Sequence, residues 1–208
     1  MGLKRPRVPE SVQKSALRRR EKDGRLDDSM YLFQEEIVAF FKVIERKRDR
    51  AIFRVLYHHG LRASEPGILD LSDFRDRDQV LYIRRKKGSI SREHALVDSA
   101  AKAIRSYIRE ERGTEPGPLF PSRQGRNGIG RDQLDVLMKR YCSQAGIRPE
   151  KAHLHALKHS CGTHLSDRGA TAQEIQDWLG HRDSKSTDIY THFSPTRRRA
   201  SFEKHRGW

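Results

Sequence analysis

The sequence predicts a mainly α-helical domain carrying a small antiparallel β-sheet. Three observations lead there. Between Tyr31 and Trp178 most segments repeat apolar residues at helical spacing. One region departs from this: VLYIRR (Val80 to Arg85) and HALV (His94 to Val97) read as two strands with Gly88 and Ser89 between them. Finally, 208 residues with 35% hydrophobic content suit one domain with a modest core and basic arms.

The elements follow in order. Residues 1–28 hold nine Lys or Arg and no clear period, so they read as a basic arm before a domain over residues 29–194. From Tyr31 a helical pattern starts. Leu32, Ile37, Phe40, Phe41 and Ile44 fall on one face, and Gln34, Glu35 and Glu36 lie in its first turn. A second helix runs through Ala51, Ile52, Val55 and Leu56 and stops near Gly60. The hairpin comes next, with Lys87 at its tip immediately before the turn glycine, a placement that favours it over Lys86. A helix over about residues 99–112 ends in the loop GTEPGP. Another covers about 131–145, with Leu134, Leu137, Met138 and Tyr141 inward. HALKHSCGTHLSDRG forms a helix closed by Gly169, and TAQEIQDWLG forms the next, capped by Thr171 and stopped by Gly180. Tyr190 lies in a short segment after it, and residues 195–208 form a basic tail.

Charge narrows the partners. Lys plus Arg number 43 against 28 acidic residues, a net charge of +15. Such a surface draws a polyanion, and nucleic acid is the commonest one. No run approaches the roughly 20 apolar residues of a membrane span, and no apolar block follows the basic N-terminus as in a signal peptide. Cys142 and Cys161 form no CxxC pair and read as free thiols of a reducing compartment, the cytoplasm and its nucleoid.

The motifs carry chemistry that suits a phosphodiester. LGHRDSKSTDIYTHF sets His181 nine residues before Tyr190. GLRASE supplies Arg62, RRKKG supplies Lys87, and HALKHS supplies His155 and Lys158. A tyrosine hydroxyl is a poor nucleophile near neutral pH, so it needs cations and proton acceptors around its target. Attack on a phosphodiester piles negative charge on the non-bridging oxygens, and fixed cationic donors aimed there do most to lower the barrier. Arg62, Lys158 and His181 fit that role, and Lys87 fits the acid that protonates the departing oxygen. His155 and Lys158, three apart, share a helical face, so His155 is placed to bond the phosphate or assist proton transfer. No step requires a metal or another cofactor. The histidines 153, 155, 159 and 164 with Cys161 also admit a zinc reading, since His155 and His159 are four apart. Against it, no HExxH glutamate is present, and His159 reads as a buried histidine bonded to backbone.

Read in order, Arg, Lys, His-x-x-Lys, His, Tyr resembles the tyrosine recombinases, or phage-type integrases. The resemblance covers about Tyr31 to Phe193. It implies the catalytic-domain fold of that family and site-specific recombination by integration, excision or inversion. It further implies a tyrosine linked covalently to a 3′ phosphate, and a tetramer on paired DNA sites with accessory DNA-bending proteins as further partners. Two departures stand out. Lys158 occupies the place of the family's second arginine, keeping the charge and losing the two-pronged grip. Only about 30 residues precede the match, where many relatives carry a helical core-binding domain. In this the chain looks like the short invertases of fimbrial phase variation, which share GxRASE, KKG and HSCG strings. Two other readings stand beside recombination: a non-catalytic DNA-binding regulator on the same fold, and a type IB topoisomerase or telomere resolvase.

Overall fold

The structure, a computed structural model, describes residues 30–86, 90–122, 127–182, 185–191, 202, 203 and 206. The expected basic arm and most of the basic tail lie outside the described residues. Helix α1 (Gln34–Lys42) buries Ile37, Phe40 and Phe41, as the periodicity predicts. It begins three residues after Tyr31, because its N-cap Phe33 is extended and the Leu32 N–H donates to Ser160 Oγ at 2.8 Å. Helix α2 (Lys47–His58) is the central element and buries Ala51, Ile52, Phe53, Val55 and Leu56.

The sheet differs from expectation in having three strands, in the order β1 (Phe74–Arg75), β2 (Val80–Ile83), β3 (Arg92–Ala95). Both pairings are antiparallel, with Leu81 opposite His94 and Ile83 opposite Arg92. β2 ends before Arg84 because the two arginines take separate partners. Arg84 turns to Asp73 at 2.6 and 2.9 Å, and Arg85 turns into the interior.

Helix α3 (Asp98–Tyr107) continues as one wide turn, Ile108–Arg112, and stops at Gly113. The Arg112 guanidinium holds the GTEPGP loop by donating to the carbonyls of Gly113, Glu115, Gly117 and Pro118. Helix α4 (Arg131–Gln144) packs its Leu134, Leu137, Met138 and Tyr141 inward. Phe40, Phe53 and Tyr141 meet edge-to-face, with centroids 5.1, 5.9 and 6.3 Å apart, and join α1, α2 and α4. Tyr141 donates its hydroxyl to the buried Asp49 at 2.7 Å, so the polar tip is satisfied inside the core.

Three helices finish the fold: α5 (Leu154–Asp167), α6 (Ala172–Leu179) and α7 (Lys185–Thr191). Thr171 caps α6 reciprocally with Glu174, and Gly180 ends it with φ 64°, in the left-handed region that glycine adopts without cost. Cys161, Ile175, Leu179 and Tyr190 form a second, smaller apolar cluster that binds these helices together. Both cysteines are buried free thiols. Among the described residues no helix is long and apolar enough to cross a membrane.

Candidate active site

The site is organised around a residue that the motifs do not single out. Arg85 has a side chain with no exposed surface. Its guanidinium donates to Glu65 Oε2 at 2.9 Å, Gly60 O at 3.0 Å, His59 O at 3.2 Å and Trp178 O at 3.0 Å. One buried cation thus joins the root of the hairpin, the GLRASE loop and the last turn of α6. In the run RRKKG nothing marks Arg85 by composition. The signal is the alternation Leu81, Ile83, Arg85, which carries the inward face of β2 one step further.

Glu65, fully buried, organises Arg62. It accepts the Arg62 backbone N–H at 2.7 Å and faces its guanidinium at 3.4 Å. The same guanidinium donates to the Lys86 carbonyl at 3.3 Å, which ties Arg62 to the hairpin. Arg62 remains partly exposed, its side chain showing 29% of its surface. Lys87 lies outside the described residues.

Helix α5 presents His155, Lys158 and His159. Lys158 is buried, and its Nζ donates to the Leu179 carbonyl at 2.9 Å. With Arg85 on the Trp178 carbonyl, two cations cap the end of α6, where unpaired carbonyls and the helix dipole favour positive charge. Burial, then the charges of Arg85 and Arg62, lower the Lys158 pKa to about 7. One carboxylate, Glu65, interacts with all three cations. The cluster is therefore positive and calls for an anion. His155 is exposed beside it, and its pKa is lowered by desolvation and then by the charges of Arg131, His153, Lys158 and Arg62.

Tyr190 docks against the other end of this group. Its ring lies directly on α5 at Gly162, where a Cβ would come within 2.7 Å of its Cε1 and Cζ. Ser166 donates its hydroxyl to the Tyr190 carbonyl at 2.7 Å. His181 stacks on the ring, 6.3 Å between centroids and 17° from parallel, and its Nδ1 is 2.9 Å from Thr187 Oγ1. Tyr190 is 3% exposed, and burial raises its pKa. His159 corrects an expectation: among the described residues its bond is to a side chain and not to backbone, its Nδ1 lying 2.9 Å from the Tyr190 hydroxyl. Burial, then His155, lowers the His159 pKa to about 4. Among the described residues no group of three or more His, Cys, Asp or Glu is placed to hold a metal ion.

The structure thus brings Arg62, Lys158, His155, His181 and Tyr190 into one neighbourhood spanning α5, α6 and α7. It adds Arg85, His159 and Thr187 to those the sequence points to.

Known proteins resemble this chain in sequence and fold. The sequence model described as "Phage integrase family" matches residues 30–197. The tyrosine recombinase XerC of Corynebacterium glutamicum is 35% identical over 159 residues, 76% of this chain and 50% of that protein. The chain spans between half and about two thirds of the length of such curated relatives. The crystal structure of XerA recombinase superposes with a TM-score of 0.75 at 26% identity, covering 91% of this chain and 67% of that one. XerH recombinase, solved bound to its difH substrate before cleavage, gives 0.69 at 25% identity, over 83% of this chain and 53% of that one.

Proposed function

This chain belongs to the phage integrase family, the tyrosine recombinases, and from that premise we propose that it cuts and rejoins double-stranded DNA at specific sites through Tyr190. The observation that carries the reading is the setting of the Tyr190 hydroxyl. It is hydrogen-bonded to His159 on α5, with His181 stacked on its ring, and His159 in turn interacts with Lys158 of the cation cluster that Glu65 balances.

The chemistry follows from that setting. A DNA phosphate supplies the missing counter-charge, held by Arg62, Lys158 and His181, with His155 within reach. These donors gain strength as charge builds on the non-bridging oxygens. Tyr190 attacks phosphorus and stores the bond as a phosphotyrosyl link, so rejoining needs no ATP. Lys87, matched to the family's hairpin lysine, protonates the departing 5′ oxygen. Lys158 has to leave the Leu179 carbonyl to reach the phosphate, and the phosphate favours its charged form. The basic arm and tail add phosphate contacts with little sequence information. The XerH structure was solved on DNA, in keeping with a DNA partner here. A tetramer on two sites, with the segment after Tyr190 packing on a neighbouring copy, completes the reading.

A second reading has one observation behind it. Lys158 stands where the family has arginine, and here it bonds a backbone carbonyl, as a silenced DNA-binding regulator would allow. Nicked suicide duplexes separate the two. The parent should form a covalent adduct resistant to denaturant, and Tyr190→Phe should form none while binding DNA nearly as well. An adduct persisting in Tyr190→Phe moves the nucleophile elsewhere. No adduct from the parent favours the regulator.

A further inference from the structure

A phenol that attacks phosphorus must lose its proton, and this phenol starts at a disadvantage. Burial raises its pKa, so almost none of it is phenolate near neutral pH. A proton acceptor has to be in contact with Oη at the moment of attack. His159 Nδ1 is hydrogen-bonded to that oxygen at 2.9 Å.

The surrounding packing fixes this contact from three directions. His159, Gly162 and Ser166 lie at i, i+3 and i+7 of α5, on one face. Gly162 lets the Tyr190 ring reach the helix backbone, and Ser166 holds the carbonyl of the same residue. His181 stacks on the ring. The hydroxyl is therefore directed at His159 by docking of the whole residue. The imidazole is also in the right protonation state. Burial, followed by the influence of His155, His153 and Lys158, keeps it neutral near pH 7, so it has a lone pair to offer.

We propose that His159 is the general base that takes the Tyr190 proton during strand cleavage. The assignment rests on the recombinase reading and goes beyond it, since it gives the nucleophile a proton acceptor in the same chain. As Oη bonds to phosphorus, its proton passes to His159 Nδ1. The bond from phosphorus to the 5′ oxygen breaks with its electron pair on that oxygen, which takes a proton from a separate acid. In rejoining, a 5′ hydroxyl attacks the phosphotyrosine and returns its proton to that acid, and the departing Tyr190 oxygen recovers the proton from His159. No proton is gained or lost over the cycle.

The test is single-turnover cleavage of a nicked suicide duplex by the full chain, comparing the parent, His159→Ala and His159→Asn from about pH 7 to 9. Asparagine keeps a hydrogen-bonding group near the Nδ1 position but is no base. DNA affinity of each variant reports that it is folded, and His159→Asn carries the test if the alanine variant does not fold. Both variants should cleave about 10²–10⁴-fold more slowly than the parent near pH 7. The ratio of parent to variant rate at equal pH should then shrink by about tenfold per pH unit, as hydroxide replaces the missing base. A parental rate in His159→Asn overturns the proposal, for then the histidine only positions the ring. So does a ratio that is the same at every pH, or a faster His159→Ala, which would make the contact a latch. A parent that forms no adduct overturns the recombinase reading itself, a result distinct from these.

Discussion

Mild acid should unfold this protein well before its carboxylates are protonated, because three histidines are buried in neutral form. His59 has no exposed surface, and among the described residues neither ring nitrogen has a hydrogen-bond partner. His94 is 2% exposed, likewise unpartnered, with its ring 5.6 Å from that of His59. Trp178 lies against both rings, and the Arg85 cation sits beside them. His164 is 4% exposed and bonded through Nδ1 to the Tyr57 hydroxyl at 2.8 Å. Burial is the first cause in each case: it lowers His94 to about 3, His164 to about 4, and His59 well below the usual range. The folded state therefore disfavours protonation that the unfolded chain accepts below about 6.5. Stability is present above that value and is lost as pH falls through it toward the folded values. Between about pH 7.5 and 5.5 each such histidine loses about 1.4 kcal/mol, and the three together about 4 kcal/mol. That is a large part of the 5–15 kcal/mol or so that a domain has in hand. Urea denaturation followed by circular dichroism at the two pH values measures it, and His94→Phe should remove about 1.4 kcal/mol of the dependence. A loss below about 1 kcal/mol over this range would refute the reasoning, because the buried rings would then be accepting protons at little cost.

Two further predictions concern the site. Gly162→Ala should push the Tyr190 ring off α5, slowing cleavage by about 10²-fold and raising tyrosine nitration while leaving the helix intact; unchanged nitration and rate would mean that the ring does not dock there. Lys158→Arg should abolish a pH limb: kcat/KM for cleavage falls above about 7 in the parent as Lys158 loses its proton, and stays level in the arginine variant. Lys158→Ala should be slower by about 10²–10³-fold and lack the limb; the same limb in all three proteins would place the titrating group elsewhere.

The helices are legible because each buries one stripe of a 3.6-residue period, and that pattern survives any tertiary arrangement. Phe40 with Phe41, Val55 with Leu56, and Leu137 with Met138 declare their faces without reference to one another. The third strand is not legible, since Phe74 and Arg75 offer two residues and no alternation to detect. Site residues set by motif, such as Arg62 and Tyr190, can be named from spacing, but their partners cannot. His159 meets Tyr190 across 31 residues, and Arg85 meets Trp178 across 93. Such contacts exist only once α5, α6 and α7 pack, and no local period encodes them. His159 departs from expectation for that reason: a histidine on a helix beside a cysteine looks like core until the element opposite it is known.

Arg85 explains why the proposed catalytic residues can lie so far apart in sequence yet share one site. Removing a guanidinium from water is costly, and the attraction of one carboxylate does not by itself repay it. Here three backbone carbonyls join Glu65 around Arg85, so the cost is met only when the α2 exit, the GLRASE loop and the end of α6 are all in place. Each part then positions a group of the site. Glu65, held by Arg85, holds Arg62. Gly180 passes so close to Arg85 that a Cβ there would meet its Nε at 2.9 Å, and His181 follows directly. Lys158 caps the carbonyl next to the one Arg85 caps. The folding energy that buries one arginine thus fixes two of the proposed phosphate ligands and the perch of a third. It does so with positive charge left over, so a bound phosphate meets donors already gathered, and Lys158 exchanges the Leu179 carbonyl for it.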